Sequence, residues 1–293
     1  MSCPAPPPIQ WPAEAIWQAV APSWPGFTVE ILPEIDSTNS ELMRRFKAAA
    51  GGQPPLEPTL LVAEQQTAGR GRLGRSWISR WGDSLTFSLG LPLQRADWSG
   101  LSLVVGISLA ESLDPGFGES ARIGLKWPND LWLTGAHGEE GKLAGILVET
   151  ASWEGHRYAV IGVGINIHRL ELPAQSDAAA GPIATACLDD LHPALHAAAA
   201  LARVLPPLVQ ALQEFERSGF APFQARFVRR DVLLGRSVQL SGSGQHAGTR
   251  DGVAHGVSQI GALLVQTPSG MLEVTSSEVT VRPASSRDGQ TPC

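Results

Sequence analysis

The chain has 293 residues, 43% of them hydrophobic and 17% charged, which is enough for one large or two ordinary globular domains with a real core. The net charge of −6 counts against nucleic acid as the main partner, because proteins that live on DNA or RNA are usually basic. The sequence has three scattered cysteines, no metal-ligand spacing, no long apolar run and no signal peptide. These features predict a cytoplasmic protein that does not insert into a membrane.

The first predicted unit is an extension over residues 1–28, which is rich in proline and tryptophan and has room for a short helix at Ala13–Ala21. It is too short and too often broken by proline for a DNA-binding helix-turn-helix domain. An alternating strand at Val29–Ile35 follows. The polar residues Ser37–Asn39 then precede good helix formers, which is typical of a helix N-terminus. These groups either cap the helix alone or, as exposed groups, bind a polar ligand head.

A stretch of glycines and arginines follows the buried strand predicted at Thr59–Ala63 and extends from Gln66 to Trp77. Its three glycines and three arginines are Gly69, Arg70, Gly71, Arg72, Gly74 and Arg75. Glycine lets the backbone approach a ligand closely, and arginine offers a fixed charged fork for phosphate or carboxylate oxygens. The pattern therefore predicts a polyanion-binding loop. On pattern alone a nucleotide site, a nucleic-acid site and an RG-rich disordered tail all stay open.

A polar corner is predicted further along the chain, after a half-buried strand at Leu85–Leu91 and a core helix at Leu101–Leu113. Within Ile123–Leu133 a proline, Pro128, ends one strand and fixes the turn to the next. The polar residues presented between the two apolar arms are Lys126, Asn129 and Asp130.

Two further apolar runs, Lys142–Glu149 and Tyr158–Ile167, are predicted to pair as a hairpin. The second run contains Gly162–Asn166, which lacks the third glycine of a dinucleotide fingerprint and opens no helix. A Rossmann site is therefore rejected. The glycines are expected to leave room for a bulky ligand or for close packing.

The last third of the chain begins with an alanine-rich helix at Leu191–Leu205. We expect the following Pro206-Pro207 to interrupt it before a second helix runs to Ser218, and a short helix is predicted at Pro222–Arg230. Short β runs split by glycine-rich turns then predict a small β-barrel. The polar tail at 284–293 is predicted to be disordered.

Five motifs in this order resemble those of the biotin protein ligases. The family pattern is a Ser-Thr-Asn turn, a GRGRxGR loop, a KWPND corner, a KxxGILxE strand and a GxGxN strand. Here these motifs are Ser37–Asn39, Gly69–Arg75, Lys126–Asp130, Lys142–Glu149 and Gly162–Asn166. The resemblance spans about residues 30 to 283, and five motifs in order are far more specific than any one of them.

The resemblance implies a mixed α/β catalytic domain over residues 29–231, like that of the class II aminoacyl-tRNA synthetases, and an SH3-like barrel over residues 232–283. It also implies a two-step reaction. Biotin and ATP, with Mg²⁺, give biotinyl-5′-AMP and pyrophosphate. A lysine of a biotin carboxyl carrier protein or carboxylase carrier domain then attacks the mixed anhydride. Dimerisation is common in the family, although no stretch of this sequence compels a homodimer.

The first step brings a carboxylate against a triphosphate, so the site needs cations and magnesium more than a nucleophile. The residues that the resemblance implies as catalytic are Arg72, Lys142, Lys126 and Asp130, with Asp130 as the Mg²⁺ ligand. Those implied to bind biotin are Ser37, Thr38, Asn39, Gln66, Gly69, Arg70, Gly71, Arg72, Lys142 and Gly145. Those implied to bind the nucleotide are Arg72, Arg75, Trp77, Lys126, Asn129 and Asn166. We expect the arginine loop to be mobile without ligand and to close over the intermediate.

The sequence departs from the family in two places. Members that also repress transcription carry an N-terminal winged helix-turn-helix, for which this chain has no room, so we expect no DNA partner. One form packs a tryptophan on adenine, whereas the aligned Gly181–Thr185 has none and leaves the adenine contact open.

Alternatives remain for single residues and for the function. Lys126 and Asp130 could form a simple turn salt bridge, and Asn166 could satisfy backbone groups in the hairpin. The role of Glu149 is left open. The rival functions are a lipoate or octanoate ligase on the same fold and a ligand-responsive nucleic-acid-binding protein.

Overall fold

The computed structural model describes residues 9–48, 57–116, 120–153, 155–169, 184–242, 248–275 and 279–283. The predicted disordered tail, the first eight residues and residues 181–183 of the expected adenine region lie outside these ranges.

A seven-stranded sheet and a two-stranded ribbon account for the first nine strands. These are β1 Thr28–Ile35, β2 Thr59–Gln66, β3 Gly69–Arg70, β4 Ser76–Trp77, β5 Ser84–Pro92, β6 Ile123–Lys126, β7 Asp130–Thr134, β8 Glu140–Trp153 and β9 His156–Asn166. The sheet has the order β1-β2-β5-β9-β8-β7-β6, while β3 and β4 form the ribbon. Only β1 and β2 run parallel within the described sheet. The mixed α/β class and the β8–β9 hairpin are thereby confirmed.

Five α-helices lie in the described part of the chain: α1 Ala13–Val20, α2 Thr38–Ala48, α3 Leu101–Leu113, α4 Ala197–Ser218 and α5 Gln224–Val228. Apolar residues of α1, α3 and α4 form one core with one face of the sheet, and Leu42 and Phe46 of α2 pack on the other face. Ile16 and Val20 belong to that main core, so the helix within the predicted extension packs onto the sheet domain. None of these helices is long and apolar enough to cross a membrane.

The central strand β5 was predicted to be half-buried, and this is wrong. Its residues from Ser84 to Leu91 are all buried. The leucines and Phe87 face the main core, while α2 and Tyr158 pack over the opposite face. The residues on that opposite face, such as Ser88 and Gly90, are small because α2 and Tyr158 pack tightly against it.

The predicted helix break at Pro206-Pro207 is also wrong, since α4 runs unbroken through both prolines. Each proline removes one N–H donor to the carbonyl four residues earlier. Those carbonyls belong to Ala202 and Arg203, which are exposed, so water can replace the missing donors. The buried face of the helix keeps its apolar packing through Leu205 and Leu208.

The C-terminal part forms a five-stranded antiparallel sheet, which fits the expected SH3-like domain. Its strands are β10 Ser237–Gly242, β11 Gly248–Val257, β12 Leu263–Thr267, β13 Gly270–Val274 and β14 Val279–Pro283, in the order β13-β12-β11-β10-β14. The indole of Trp127, at the corner between β6 and β7, donates a 3.0 Å hydrogen bond to the Gly261 carbonyl. The C-terminal sheet therefore supports the polar corner from behind.

Asp231 lies where the chain passes from the sheet domain to the C-terminal sheet. Its Oδ1 accepts a hydrogen bond from Leu233 N, and its Oδ2 is buried with no partner among the described residues. Burial raises the pKa of this carboxyl to about 6, while nearby Arg236 opposes the shift. The folded protein therefore holds a proton that the unfolded chain has lost between about pH 4 and pH 6. Ionisation of Asp231 thus lowers the free energy of unfolding as the pH rises through that window.

We expect Asp231→Asn to raise the free energy of unfolding by about 1–3 kcal/mol at pH 7.5 and by little at pH 3.5, because it removes the buried charge. Thermal and urea unfolding across this pH range measure the effect. Asp251→Asn, at an exposed carboxyl of β11, is the matched control. An equal gain at both pH values would contradict the assignment.

Candidate active site

A row of four residues crosses the sheet on the face opposite the main core. Asp130 is in register with Gly145, Gly145 with Gly164, and Gly164 with Thr86. Directly opposed residues share one face of a sheet. Because two of the four are glycines, this face is recessed and can accept a bulky group.

The indole of Trp77 occupies that recess. A Cβ on Gly164 would collide with Trp77 Cε2, and one on Gly145 would lie 3.3 Å from Trp77 Cζ3. The ribbon that carries the indole is equally tight, since a Cβ on Gly69 would collide with the Trp77 carbonyl. Gly145 and Gly164 therefore allow close packing of the sheet against the arginine loop.

The arginine loop between β3 and β4 is a single turn of 3-10 helix, Arg72–Gly74, closed by a hydrogen bond from Gly71 N to Arg75 O. Leu73, at its tip, is 57% exposed and has a left-handed φ of 55°, which strains a non-glycine residue. The side chain of Arg75 is exposed.

A charged cluster joins the loop to the polar corner. Lys142 Nζ lies 2.8 Å from Asp130 Oδ1, as an ion pair, and 5.9 Å from the centre of the Trp77 ring. Arg72 donates a 3.2 Å hydrogen bond to Asn129 Oδ1, and Asn129 Nδ2 donates to the Ile146 carbonyl at 2.8 Å. Burial lowers the pKa of the Arg72 guanidinium, while the Asp130 carboxylate opposes the shift.

Asp130 forms an ion pair with Lys142 of the neighbouring strand β8, and the turn salt bridge between Lys126 and Asp130 stays an untested alternative. Lys126 Nζ lies 4.4 Å from the centre of the Trp132 ring. That distance is within the range of a cation–π contact.

A buried polar cluster, Ser37–Asn39 with Gln66, lies where β1 passes into α2, and we call it the polar wall. Ser37, Thr38 and Asn39 are at most 3% exposed, so the expectation that these groups are exposed is wrong. Thr38 N donates to Gln66 Oε1 at 2.8 Å, and Thr38 Oγ1 lies 3.2 Å from the same oxygen. Ser37 Oγ is 3.4 Å from Ser40 N, which makes it a weak helix cap.

Asn39 and Arg70 meet at one carboxylate, that of Glu149. Asn39 Nδ2 donates to Glu149 Oε2 at 3.0 Å, and Arg70 Nη1 lies 3.0 Å from Glu149 Oε1. A Cβ on Gly162 would collide with Asn39 Oδ1. The residue whose role the sequence left open thus joins the polar wall to the arginine loop.

Asn166 holds a backbone segment beside β8. Its Nδ2 donates to the carbonyls of Lys142 and Ala186. The Lys142 N–H donates to the Ala184 carbonyl at 2.8 Å, so 184–186 lies along the strand that bears the site lysine. Asn166 therefore satisfies backbone groups at the edge of the charged cluster, which is the alternative that the sequence left open for it.

Sequence reasoning brought together most of these residues but missed Ser88. This hydroxyl is fully buried and lies 2.6 Å from both Thr38 Oγ1 and Asn39 Oδ1. Its only sequence signal is a polar residue in an otherwise apolar strand. No three His, Cys, Asp or Glu side chains cluster as a metal site in the described ranges.

A mixed sheet with cations and glycines on one face, beside an arginine-rich loop, is the arrangement expected of a ligase that activates a carboxylate with a nucleotide. Similarity to known proteins identifies the family. The model of the biotin/lipoate A/B protein ligase family matches residues 34–166. The bifunctional ligase/repressor BirA of Escherichia coli K12 is 35% identical over 266 residues, covering 88% of this chain and 75% of that protein. The chain belongs to this ligase family.

Two further relatives agree. The biotin–[acetyl-CoA-carboxylase] ligase of Mycobacterium tuberculosis is 37% identical over 167 residues, which is 55% of each chain. A structure of the biotin protein ligase from Aquifex aeolicus in complex with biotin and ATP superposes with a TM-score of 0.66. It is 28% identical and covers 87% of this chain and 99% of that one. The family and fold implied by the motifs are thereby confirmed.

We expect Gly164→Ala to displace the Trp77 indole, to cost about 1–3 kcal/mol of unfolding free energy by overpacking, and to reduce adenylate formation. Gly106→Ala is the control, because its new Cβ would lie 3.2 Å from the flexible end of Leu125. Urea unfolding and adenylate assays of both variants test this. Wild-type behaviour of Gly164→Ala would show that the indole does not need the recess.

Proposed function

We propose that the protein is an ATP-dependent ligase that activates biotin as biotinyl-5′-AMP and transfers it to a lysine of a biotin carboxyl carrier protein or domain. The observation that carries this is the charged cluster of Arg72, Lys142 and Asp130 beside the recess under Trp77. It is supported by family membership and by relatives named as biotin ligases.

In the first step a carboxylate oxygen of biotin attacks the α-phosphorus of ATP, and the bond to the leaving pyrophosphate breaks. Like charges repel, so the barrier falls when cations lie where negative charge collects. Lys142 of β8 is held by Asp130, and Arg72 of the arginine loop is held by Asn129. We assign them to stabilise the transition state, and Trp77 to cover the apolar chain of biotin.

The polar wall suits the ureido head of biotin, which has one carbonyl and two N–H groups. Ser37 has a hydroxyl hydrogen to donate, while Gln66 and Thr38 offer oxygens 3.2 Å apart that can accept an N–H. Gly71, Gly69 and Gly145 let the loop backbone approach the chain and carboxylate of biotin closely.

Whether the site can hold Mg²⁺ depends on the oxygen ligands that it offers. Mg²⁺ usually takes one or two carboxylates, with nucleotide phosphates and water completing the octahedron. Asp130 is a half-buried carboxylate in the cluster and fits that limited role. Mg²⁺ bound there would neutralise phosphate charge. Lys126, Arg75 and Asn166 stay predicted nucleotide contacts.

In the second step the lysine amine of the carrier attacks the acyl carbon, the bond to AMP breaks, and the amine proton passes to solvent. Closure of the arginine loop would shield the anhydride from water until the carrier arrives. The mobility of the loop without ligand stays a prediction. So do a homodimer, the lack of a DNA partner, a cytoplasmic location, and domain limits at 29–231 and 232–283.

The decisive assay incubates the protein with ATP, Mg²⁺ and an apo-carrier domain, with either biotin or lipoate, and follows the intact mass of the carrier. We expect addition of biotin alone. Transfer of lipoate without transfer of biotin would establish the rival ligase. Tight, salt-sensitive DNA binding with no transfer would favour the nucleic-acid alternative.

Lys142→Ala should slow adenylate formation by about 10²–10³-fold, as expected when a donor to developing charge is lost. Lys47→Ala, which removes an exposed lysine of α2, is the matched control and should behave as wild type. Single-turnover formation of biotinyl-5′-AMP is the measurement. An unchanged rate would remove Lys142 from the site.

A further inference from the structure

The row of residues that crosses the site face continues past Asp130 to the outer strand β6. Lys126 of β6 is in register with Asp130, which in turn is in register with Gly145. Neighbouring strands lie about 4.8 Å apart, so the backbone of Lys126 lies about 10 Å from that of Gly145 on the same face. The row therefore leads from the recess under Trp77 to a lysine at the outer end of the sheet.

Trp132 contacts that lysine. It lies two residues beyond Asp130 on β7, so its side chain is on the same face of the sheet. Lys126 Nζ lies 4.4 Å from the centre of its ring, whereas its buried Nε1 has no hydrogen-bond partner among the described residues. A Cβ on Gly124, the residue opposite Trp132 on β6, would collide with Val232. Close packing therefore surrounds the indole, and its ring face is what it offers to Lys126.

This contact holds Lys126 without cancelling its charge, because an aromatic ring is neutral and attracts an ammonium through its quadrupole. A carboxylate in the same place would neutralise it. Glu140 is near enough for Lys126 to help lower the pKa of its carboxyl, although hydrogen bonds from Arg236 are the main cause. Arg236 donates to both oxygens of Glu140, at 2.7 and 2.6 Å. Arg236 thus engages the carboxylate that would otherwise compete with a phosphate for Lys126.

We propose that Trp132 is a positioning residue of the activation step, whose indole face holds the Lys126 ammonium toward the departing pyrophosphate. The inference rests on the proposed function, because it takes the adenylation of biotin as the reaction. As the bond from the α-phosphorus to the bridging oxygen breaks, that oxygen keeps the electron pair and the pyrophosphate gains negative charge. A stabilising cation is therefore needed there.

The position of Lys126 in the row fits the leaving group rather than the attacking one. Attack and departure at phosphorus are roughly in line, so the pyrophosphate leaves on the side opposite the biotin carboxylate. Lys142 lies 5.9 Å from the centre of the Trp77 ring, which we assign to biotin. Lys126 lies at the other end of the row, beyond Asp130.

Single-turnover formation of biotinyl-5′-AMP at saturating ATP, Mg²⁺ and biotin tests the role of the indole. Trp132→Leu should slow this step by about 5- to 30-fold, as expected when a cation–π contact that holds a catalytic cation is lost. Trp132→Phe keeps an aromatic face and should stay within about threefold of wild type. Trp98→Leu is the matched control, because Trp98 has a similar contact with Arg157, at 4.1 Å, between β5 and α3.

Product binding tells positioning of Lys126 from a general structural role. Trp132→Leu should raise the half-inhibitory concentration of pyrophosphate by about 5- to 30-fold and leave that of AMP, and the Kd of biotin, within about twofold of wild type. A structural loss would weaken all three together. Weaker binding of AMP with unchanged pyrophosphate inhibition would overturn the assignment to the leaving group.

A double-mutant cycle tests whether the indole acts through the lysine. Trp132→Leu combined with Lys126→Met should be no slower than Lys126→Met alone, because both remove one interaction. Additive slowing, or a wild-type rate for Trp132→Leu, would overturn the inference. A wild-type protein that forms no biotinyl-5′-AMP would instead overturn the proposed function. Thermal unfolding checks each variant, and Trp132→Met takes the place of Trp132→Leu should the latter not fold.

Discussion

The packing of the Trp77 indole on Gly145 and Gly164 is the contact on which the site depends. It fixes the root of the arginine loop against the centre of the sheet, where the two glycines are directly opposed. It also places the centre of the indole ring 5.9 Å from Lys142 Nζ. The apolar ring and the cation of the site therefore lie side by side on the same face of the sheet. Without the recess the loop could not lie near the charged cluster.

Two chemically different surfaces lie around that contact. A buried, uncharged polar wall at Thr38 and Gln66 suits a neutral head group, whereas Lys142 and Arg72 gather positive charge where phosphate and carboxylate meet. A ligase that joins a carboxylate to a nucleotide needs both, because the head gives specificity and the cations lower the barrier. The pair of Arg70 and Glu149 connects the two regions.

The sequence allowed prediction of the fold class, the family and the main cluster, because five motifs in order are specific and because Lys142 of one motif pairs with Asp130 of another. It did not allow prediction of what depends on distant packing. The uninterrupted α4 depends on Pro206 and Pro207 facing solvent, and the full burial of β5 depends on α2 and Tyr158 covering it. Ser88 and Glu149 gain their roles only through partners far away in the chain.

Activation of biotin at this site is tested directly by the exchange of labelled pyrophosphate into ATP in the absence of any carrier. This measures reversal of the activation step alone, so it is independent of the acceptor. If this site activates biotin, exchange requires both biotin and Mg²⁺, and lipoate does not support it. Exchange without biotin, or with lipoate in its place, would contradict the assignment of this site to biotin activation.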